Sequence, residues 1–533
     1  MLCRVCRSHQ GGARLEPKSA PTQTVTSHSL SLKEVLSAAG LSLFVGIAAF
    51  IVFATRRIPW EDAAILFRYS ENVAAGHGIV YNPGGEAVDG ATDLLFMLAL
   101  AGFNALGMRV ELAAALINAA SIAIITFLAY YCWRRWGGCS VGVALVPVAA
   151  VLVGPVWQYG QFGFGTPTFA AACTATAAAS EWAATRPSRR NLVALGALVA
   201  LAGLVRPEGF ILGPLVTAAQ AWRTRSPRLL MLPALVWFPT VAVLVGWRTL
   251  YFGYPLPNPF YKKGGGELHL EALRSMAEFM ASTGLPVVVG LAVGLAIPAS
   301  RRRAVCLSLV LAGWAASWLL MSDEMNLSYR FQFSILPVLV VLCAPLYAEM
   351  RRGSEHAPAL LSRVSFALLV TFTAVGSGWS AQAFLRPAVR SFVHQVSDPE
   401  EARRASPQAQ VAAVMRANAN GALRTVVTTE AGYVAWKSGW TVTDLWGLND
   451  KRIAHQGYLG VAGLVQLRPE LVFCACSDKQ SSGQFCGVCL DVPARLDPDD
   501  GTASLLRPST ALCPAGSVGR LRELCGLGPT RPP

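Results

Sequence analysis

The sequence predicts an all-α polytopic membrane protein of about eleven transmembrane helices, followed by a C-terminal extracytoplasmic α/β domain. Three observations predict it. Of 533 residues, 53% are hydrophobic and only 14% charged, against about a quarter charged in soluble domains. Apolar runs of bilayer length recur up to residue 380, each near the roughly 15–25 residues a span needs. Short arginine clusters separate alternate runs, as the positive-inside rule requires. The net charge of +14 is used up in those clusters and forms no continuous basic face, which argues against a nucleic-acid partner.

Residues 1–34 are polar and basic, the composition of a disordered cytoplasmic leader. The run from Val35 to Ala54 is too long for a signal-peptide core and lacks a small-residue cleavage site, so it reads as the first span. Further spans are expected at 110–132, 141–157, 168–184, 191–205, 208–222, 229–251, 284–299, 304–321, 330–349 and 363–380. The segment 93–107 is apolar but short, and reads as a re-entrant or interfacial helix. With it left out, Arg134/Arg135, 186–190, 223–228, 301–303 and Arg351/Arg352 all fall on the cytoplasmic side; only Arg56/Arg57 fall opposite. The chain thus divides into the leader, a transmembrane domain over 35–380 with a polar outer loop at 55–109, and an extracytoplasmic domain over 381–533. A multi-pass protein of the inner membrane, N-terminus inside, is expected.

The unusual residues collect in the outer connections. Glu61 and Asp62 open "EDAAILFRYSENVA", a stretch of helical periodicity where acids favour the N-terminus. Capping accounts for one acid, but not for Arg68, Tyr69, Glu71, Asn72, His77, Asn82 and Asp89 in the same insert; polar groups at a membrane boundary are costly and mark sites. Arg206-Pro207-Glu208 stands between two spans, either as an ion pair closing a helix break or as an anion site. "YFGYPLPNPFYKK" (251–263), with three prolines, reads as an extended loop ending in Lys262 and Lys263. Those lysines anchor in headgroups or clamp a lipid phosphate. "SDEMNLSYRF" (322–331) places Asp323, Glu324, Tyr329 and Arg330 in one turn, and Arg330, opening a span, requires a partner, for which Asp323 or Glu324 is nearest in sequence. Cys474, Cys476, Cys486 and Cys489 have the close pairing of a zinc site, but an outward-facing segment favours disulfides, with Cys513 and Cys525 as a further pair. Cys3 and Cys6 form a lone CxxC in the leader.

Taken in order, "EDAAILFRYSENVAAGHGIVYNPGGEAVDGATD", "LVRPEG", "YFGYPLPNPFYKK", "SYRFQFSILP" and "TTEAGYVAWKSGWTVTDLWGLNDKRIAH" resemble the membrane glycosyltransferases of the GT-C superfamily, most closely the terminal β-1,2-arabinofuranosyltransferase branch. The resemblance runs from residue 59 to 455. Three departures stand out: Glu61 where that branch has Asp, Asp89-Gly90-Ala91-Thr92-Asp93 where it has Glu-Gly-Tyr-Thr-Asn, and Gly165 where a Glu often precedes Thr-Pro.

The resemblance implies a GT-C-like fold and transfer of a sugar from a polyprenyl-phosphate donor to a cell-envelope glycan at the outer face of the bilayer. Asp62 would be the general base and Glu61 its support. Arg330, Lys262, Arg206 and Lys263 would hold the donor phosphate. Arg68, Tyr69, His77, Asn82, Asp89, Glu208, Asn258, Tyr261, Asp323 and Tyr329 would contact substrate, and Asp444, Asn449 and Asp450 the acceptor glycan. A divalent cation (Mg or Ca) between Asp62 and the phosphate is left open, since no ligand cluster demands one. Two alternatives stand beside this reading: a transporter or flippase for lipid-linked sugar, which should carry ionisable residues near mid-span, and a protein O-glycosyltransferase of the same superfamily.

Overall fold

The structure, a computed structural model, describes residues 29–56, 58–264, 266–354, 371–398, 407–417, 425–457, 467, 471–475 and 510–512. Residues 1–28 of the leader lie outside the described residues, as do the side chains of the late cysteines, and α1 takes in the last three residues of the expected leader.

The first helix, α1 (Leu32–Thr55), starts at a capping box in which the Ser31 hydroxyl accepts from Glu34 N while the Glu34 carboxylate accepts from Ser31 N. One stripe, Ala38, Ser42, Val45, Ala49 and Phe53, is buried, largely against α4 (Val110–Arg135). Leu36, Leu43, Phe44, Ile47 and Ile51 remain exposed, the surface a helix presents to lipid. The stripe is small because helices in a bilayer associate by close packing; a Cβ on Gly46 would lie 3.1 Å from that of Ala123.

Among the described residues, four helical stretches are long and apolar enough to cross a membrane: α1, α4, α10 (Arg228–Phe252) and Arg301–Leu320, which contains α14 (Arg301–Ser317). Two bent pairs pass the same test together. The expected span 141–157 is one of them, α5 (Val141–Leu152) and α6 (Val156–Phe162), bent by 45° at Val153–Pro155. The expected span 284–299 is the apolar half of the other. There α13 (Leu285–Ala296) turns by 86° from the amphipathic α12 (Glu271–Ser282), with Pro286 in the first turn of α13. The remaining long helices are α7 (Thr166–Thr185), α8 (Arg189–Val205), α9 (Gly209–Thr224) and α15 (Ile335–Ser354). As expected, 93–107 holds a short helix, α3 (Leu94–Ala105). Its 12 residues rise about 18 Å, well short of a hydrocarbon core.

Two sequence expectations are corrected here. Residues 258–264 form a short helix, α11 (Asn258–Gly264), because Pro259 falls in its first turn, where proline is tolerated. The span expected from 330 begins at Ile335. Before it, Met325, Ser328 and Tyr329 all have positive φ (64°, 53° and 61°), a conformation costly for side-chain-bearing residues. The turn is held by Ser328 Oγ donating to Gln158 Oε1 (2.7 Å) and by Asn326 Nδ2 donating to Asp323 Oδ1 (2.7 Å).

Near the helix ends farthest from α2 (Glu61–Ala74), Glu181 is fully buried and takes Arg303 Nη1 (2.8 Å), Arg303 Nη2 (3.2 Å) and Gln220 Nε2 (2.8 Å), while Arg303 Nε reaches Glu349 (3.0 Å). This network ties α7, α9, α14 and α15 together.

The C-terminal part carries a four-stranded sheet in the order β2-β1-β3-β4: β1 (Thr425–Thr428), β2 (Thr441–Asp444), β3 (Leu471–Ala475) and β4 (Thr510–Leu512). β1 pairs parallel with β2 and β3, and β4 is antiparallel. The short helix α16 (Tyr433–Ser438) crosses from β1 to β2, and α17 (Lys451–Gln456) follows β2. This sheet domain sits directly on α2. Asn82 bonds both ways with the Val442 backbone at 2.9 Å, and Tyr81 Oη donates to Ala431 O at 2.6 Å.

Candidate active site

Residues brought from distant parts of the chain line a cavity of about 90 Å³. From α2 comes Asp62, in the first helical turn, where the N-terminal dipole favours a carboxylate. The loop before α3 supplies Gly90, Thr92 and Asp93; the α6–α7 junction supplies Phe164 and Thr166; the α8–α9 break supplies Arg206 and Glu208. Pro259 and Lys263 of α11, and Arg330 with Phe331 of the strained turn, complete the polar walls. Leu448 of the sheet domain closes the cavity.

Arg330 donates through Nη2 to Asp62 Oδ2. Its guanidinium lies 4.3 Å from the Phe164 ring centre and 5.1 Å from that of Phe331, a stacked setting that favours Arg over Lys. Its partner is therefore Asp62, not Asp323 or Glu324. Asp323 accepts from Ser275 Oγ and Asn326 instead. Burial raises the Asp62 pKa, but Arg330, Lys263 and Arg206 outweigh it and hold the carboxyl below the usual aspartate range. Lys263, whose own pKa is lowered by burial, donates to Glu324 O at 3.2 Å.

Opposite stands a second ionic group. Arg206 pairs with Asp93 (Nη1 to Oδ1, 3.2 Å) and Glu208 (Nη2 to Oε1, 2.8 Å). Burial pushes Asp93 upward, and Arg206 opposes that; Glu208 is also buried, but Arg206 pulls it below its ordinary value. Arg206 is thus engaged by two carboxylates, while Arg330 and Lys263 face the base. The cavity lining draws Lys263 and Arg330 from α11 and the strained turn, and Asp93, Arg206 and Glu208 from the loop before α3 and the α8–α9 break.

The other sequence candidates fall elsewhere. Arg68 is buried and structural: it donates to Tyr81 O (2.6 Å), Asn82 Oδ1 (2.8 Å), Trp440 O (3.0 Å) and Ala435 O, fastening the sheet domain. Tyr69 is buried beside Gly90, and His77 is exposed beyond α2. Asp89 pairs with Arg248 Nε at 2.9 Å and is pushed up to about 6, mainly by burial. Asn258 donates its backbone N–H to Asp89 O (2.9 Å). Lys262 is on α11 but outside the cavity lining. Tyr261 and Tyr254 enclose the His455 ring, at 4.4 and 3.6 Å between centres. Tyr329 Oη donates to Glu278 (3.2 Å). Asp444 is fully buried and accepts from Trp446 N, Asn449 N and Asn449 Nδ2 at 2.9–3.0 Å. Asp450 caps α17 through Arg452 N and Ile453 N. These last three residues build the turn that presents Leu448 rather than an open glycan surface.

Glu61 points away from the cavity. Its Oε2 accepts from Gly432 N (2.7 Å) and Tyr433 N (3.0 Å) at the start of α16. Burial, and secondarily Glu430, push it up to about 8. Thr166, Phe164, Arg248 and Glu430 were not singled out from sequence. Arg248 was findable as a lone cation inside an apolar run; Asp93 was noted only as part of a departure from the resembled branch. Among the described residues, no group of three or more His, Cys, Asp and Glu is placed to hold a metal.

Residues 395–503 match a family described as a domain of unknown function (DUF8728). No curated protein matches the chain by sequence. Among solved structures, ArnT from Cupriavidus metallidurans bound to undecaprenyl phosphate is similar at 13% identity and TM-score 0.55, over 84% of this chain and 94% of ArnT. The same protein in the apo state is similar at 13% identity and TM-score 0.54, over 83% and 93%. The fold is shared. It is a polytopic helical architecture, here carrying an α/β sheet domain.

Proposed function

We propose that this chain is an integral membrane glycosyltransferase that moves a sugar, arabinofuranose by the sequence resemblance, from a polyprenyl-phosphate donor to a cell-envelope glycan. One observation carries the proposal. An acid of lowered pKa, Asp62, shares a single cavity with two cations, the buried Arg330 and the half-buried Lys263. ArnT, which shares the fold, was crystallised with undecaprenyl phosphate, and that supports a lipid phosphate as the ligand of the cations.

The reaction is a displacement at the anomeric carbon. The acceptor oxygen forms a bond to C1 as Asp62 takes its proton, and the C1–O bond to phosphate breaks. The leaving polyprenyl phosphate keeps the electron pair, and Arg330 and Lys263 balance the charge that develops on it. Arg330 binds Asp62 in the structure, so donor phosphate competes for that guanidinium and releases the base. A chelator titration of activity tests whether a divalent cation, Mg or Ca, takes part; among the described residues no group of three or more His, Cys, Asp and Glu is placed to hold one.

The proposed setting is the inner membrane with the cavity and sheet domain outside. Reporter fusions after Gly266 and after Arg390 should be active only outside the cytoplasm. The direct test is transfer by purified protein from a synthetic polyprenyl-phosphate sugar to an oligosaccharide. Absence of transfer from every such donor would overturn the proposal.

A further inference from the structure

Two polar groups in the cavity are left over by the phosphate and base assignments. Asp93 lines the cavity and accepts through Oδ1 from Arg206 and from Thr92 Oγ1 (3.4 Å), while its Oδ2 lies against Gly165. A Cβ built on Gly165 would collide with that oxygen. Next to it, the Thr166 hydroxyl lines the cavity, is buried, and has no hydrogen-bond partner. A buried hydroxyl without a partner is costly. Only a residue without a side chain at 165 leaves the Asp93 carboxylate where it stands in the cavity wall.

Resting on the glycosyltransferase reading, we infer that Asp93 and Thr166 recognise the donor sugar. The Asp93 carboxylate accepts from a sugar hydroxyl and the Thr166 hydroxyl bonds a neighbouring one, while Arg330 and Lys263 hold the phosphate across the cavity. The sugar is covalently joined to that phosphate, so it must lie within the same small space. Acceptors and cations that line one cavity match a sugar phosphate, the former for its hydroxyls and the latter for its anion. Asp93 is then a specificity-determining residue, and Gly165 is the vacancy that lets it act.

The test separates sugar from phosphate. Binding of farnesyl phosphate and of farnesyl-phosphoryl arabinofuranose, mannose and glucose is measured on the full chain in nanodiscs, for wild type, Asp93→Asn and Thr166→Val. At least one sugar should bind wild type more tightly than bare farnesyl phosphate. Asp93→Asn should remove roughly 10- to 100-fold of that preference, the size expected for hydrogen bonds to a charged group, with farnesyl phosphate affinity unchanged. A monodeoxy analogue of the preferred sugar should then bind wild type and Asp93→Asn equally. Gly165→Ala, which displaces the carboxylate, should resemble Asp93→Asn. Equal weakening toward farnesyl phosphate and its glycosides would show that Asp93 only supports Arg206, and an unaltered sugar preference in both variants would remove any role; either result overturns the inference. Failure of wild type to bind any of the four ligands would instead overturn the glycosyltransferase reading itself.

Discussion

Arg330 and Asp62 are joined directly across the cavity, although they come from elements separated by most of the membrane domain. The pair holds the base at a depressed pKa, with burial opposing and Arg330 the largest favourable influence. A carboxylate of depressed pKa gives stability that is complete above the ordinary aspartate value of 3.8 and is lost as pH falls through the lower folded-state value.

The acid limb of kcat/KM reports this base in the free enzyme. In wild type it should lie below the ordinary aspartate range. Arg330→Gln should move it upward by roughly 1–3 pH units, the usual effect of an adjacent Arg, besides lowering the rate. A pH–rate profile of transfer checks both, and an unmoved limb would mean that Asp62 is not the titrating group.

Asp62→Asn retains shape but cannot take a proton, so transfer should fall roughly 10²–10⁴-fold. Glu61→Gln should cost far less at neutral pH, because Glu61 bonds the sheet domain and keeps an acceptor oxygen as Gln. Initial rates on purified variants decide it. If Asp62→Asn transfers normally while Glu61→Gln is dead, the roles are exchanged.

Glu61 makes the docking of the sheet domain sensitive to pH. Its carboxyl rises on folding from an ordinary 4.5 to about 8, through burial first and Glu430 second. A group of raised pKa binds its proton more tightly in the folded state. Its stabilising contribution is therefore full below about 4.5 and lost as pH rises through about 8. Amide protection factors for residues 432–444 should fall between pH 6 and pH 9 in wild type and stay level in Glu61→Gln. Gly432→Ala should lower protection at every pH, since a methyl there would strike Glu61.

The membrane architecture was legible because bilayer length and arginine placement act on long stretches, and α1, α4 and α10 lie where the apolar runs predicted them. The breaks in 141–157 and 284–299 were less so, for a local turn inside an apolar run leaves the hydropathy unchanged. At the site, Asp62, Arg330, Lys263, Arg206 and Glu208 were legible as polar residues in outer loops, and all line the cavity. Arg68, Asn82 and Asp444 had the same local appearance yet bond inside the fold. What separates the two sets is the tertiary contact between α2 and the sheet domain, which no local pattern encodes. Asp93 shows the converse: its exposure to the cavity depends on Gly165, a residue on another element.

Asp89 and Arg248 should behave as a unit of stability rather than of catalysis. Both side chains are nearly inaccessible, and their ion pair at 2.9 Å ties the loop before α3 to α10. Removing one partner leaves the other charge buried and uncompensated, which typically costs about 3–5 kcal/mol. Arg248→Met should therefore lower the thermal unfolding midpoint strongly. Asp89→Asn should lower it less, because burial already lifts this carboxyl to about 6 and so reduces the preference for its charged form. Replacing both, as Asp89→Asn with Arg248→Met, should recover much of the loss, since neither charge is then stranded. Midpoints measured in detergent for the two single variants and the double variant form a complete cycle. Strictly additive losses would show that the two side chains stabilise the fold independently, and the contact would then carry none of the coupling assigned to it.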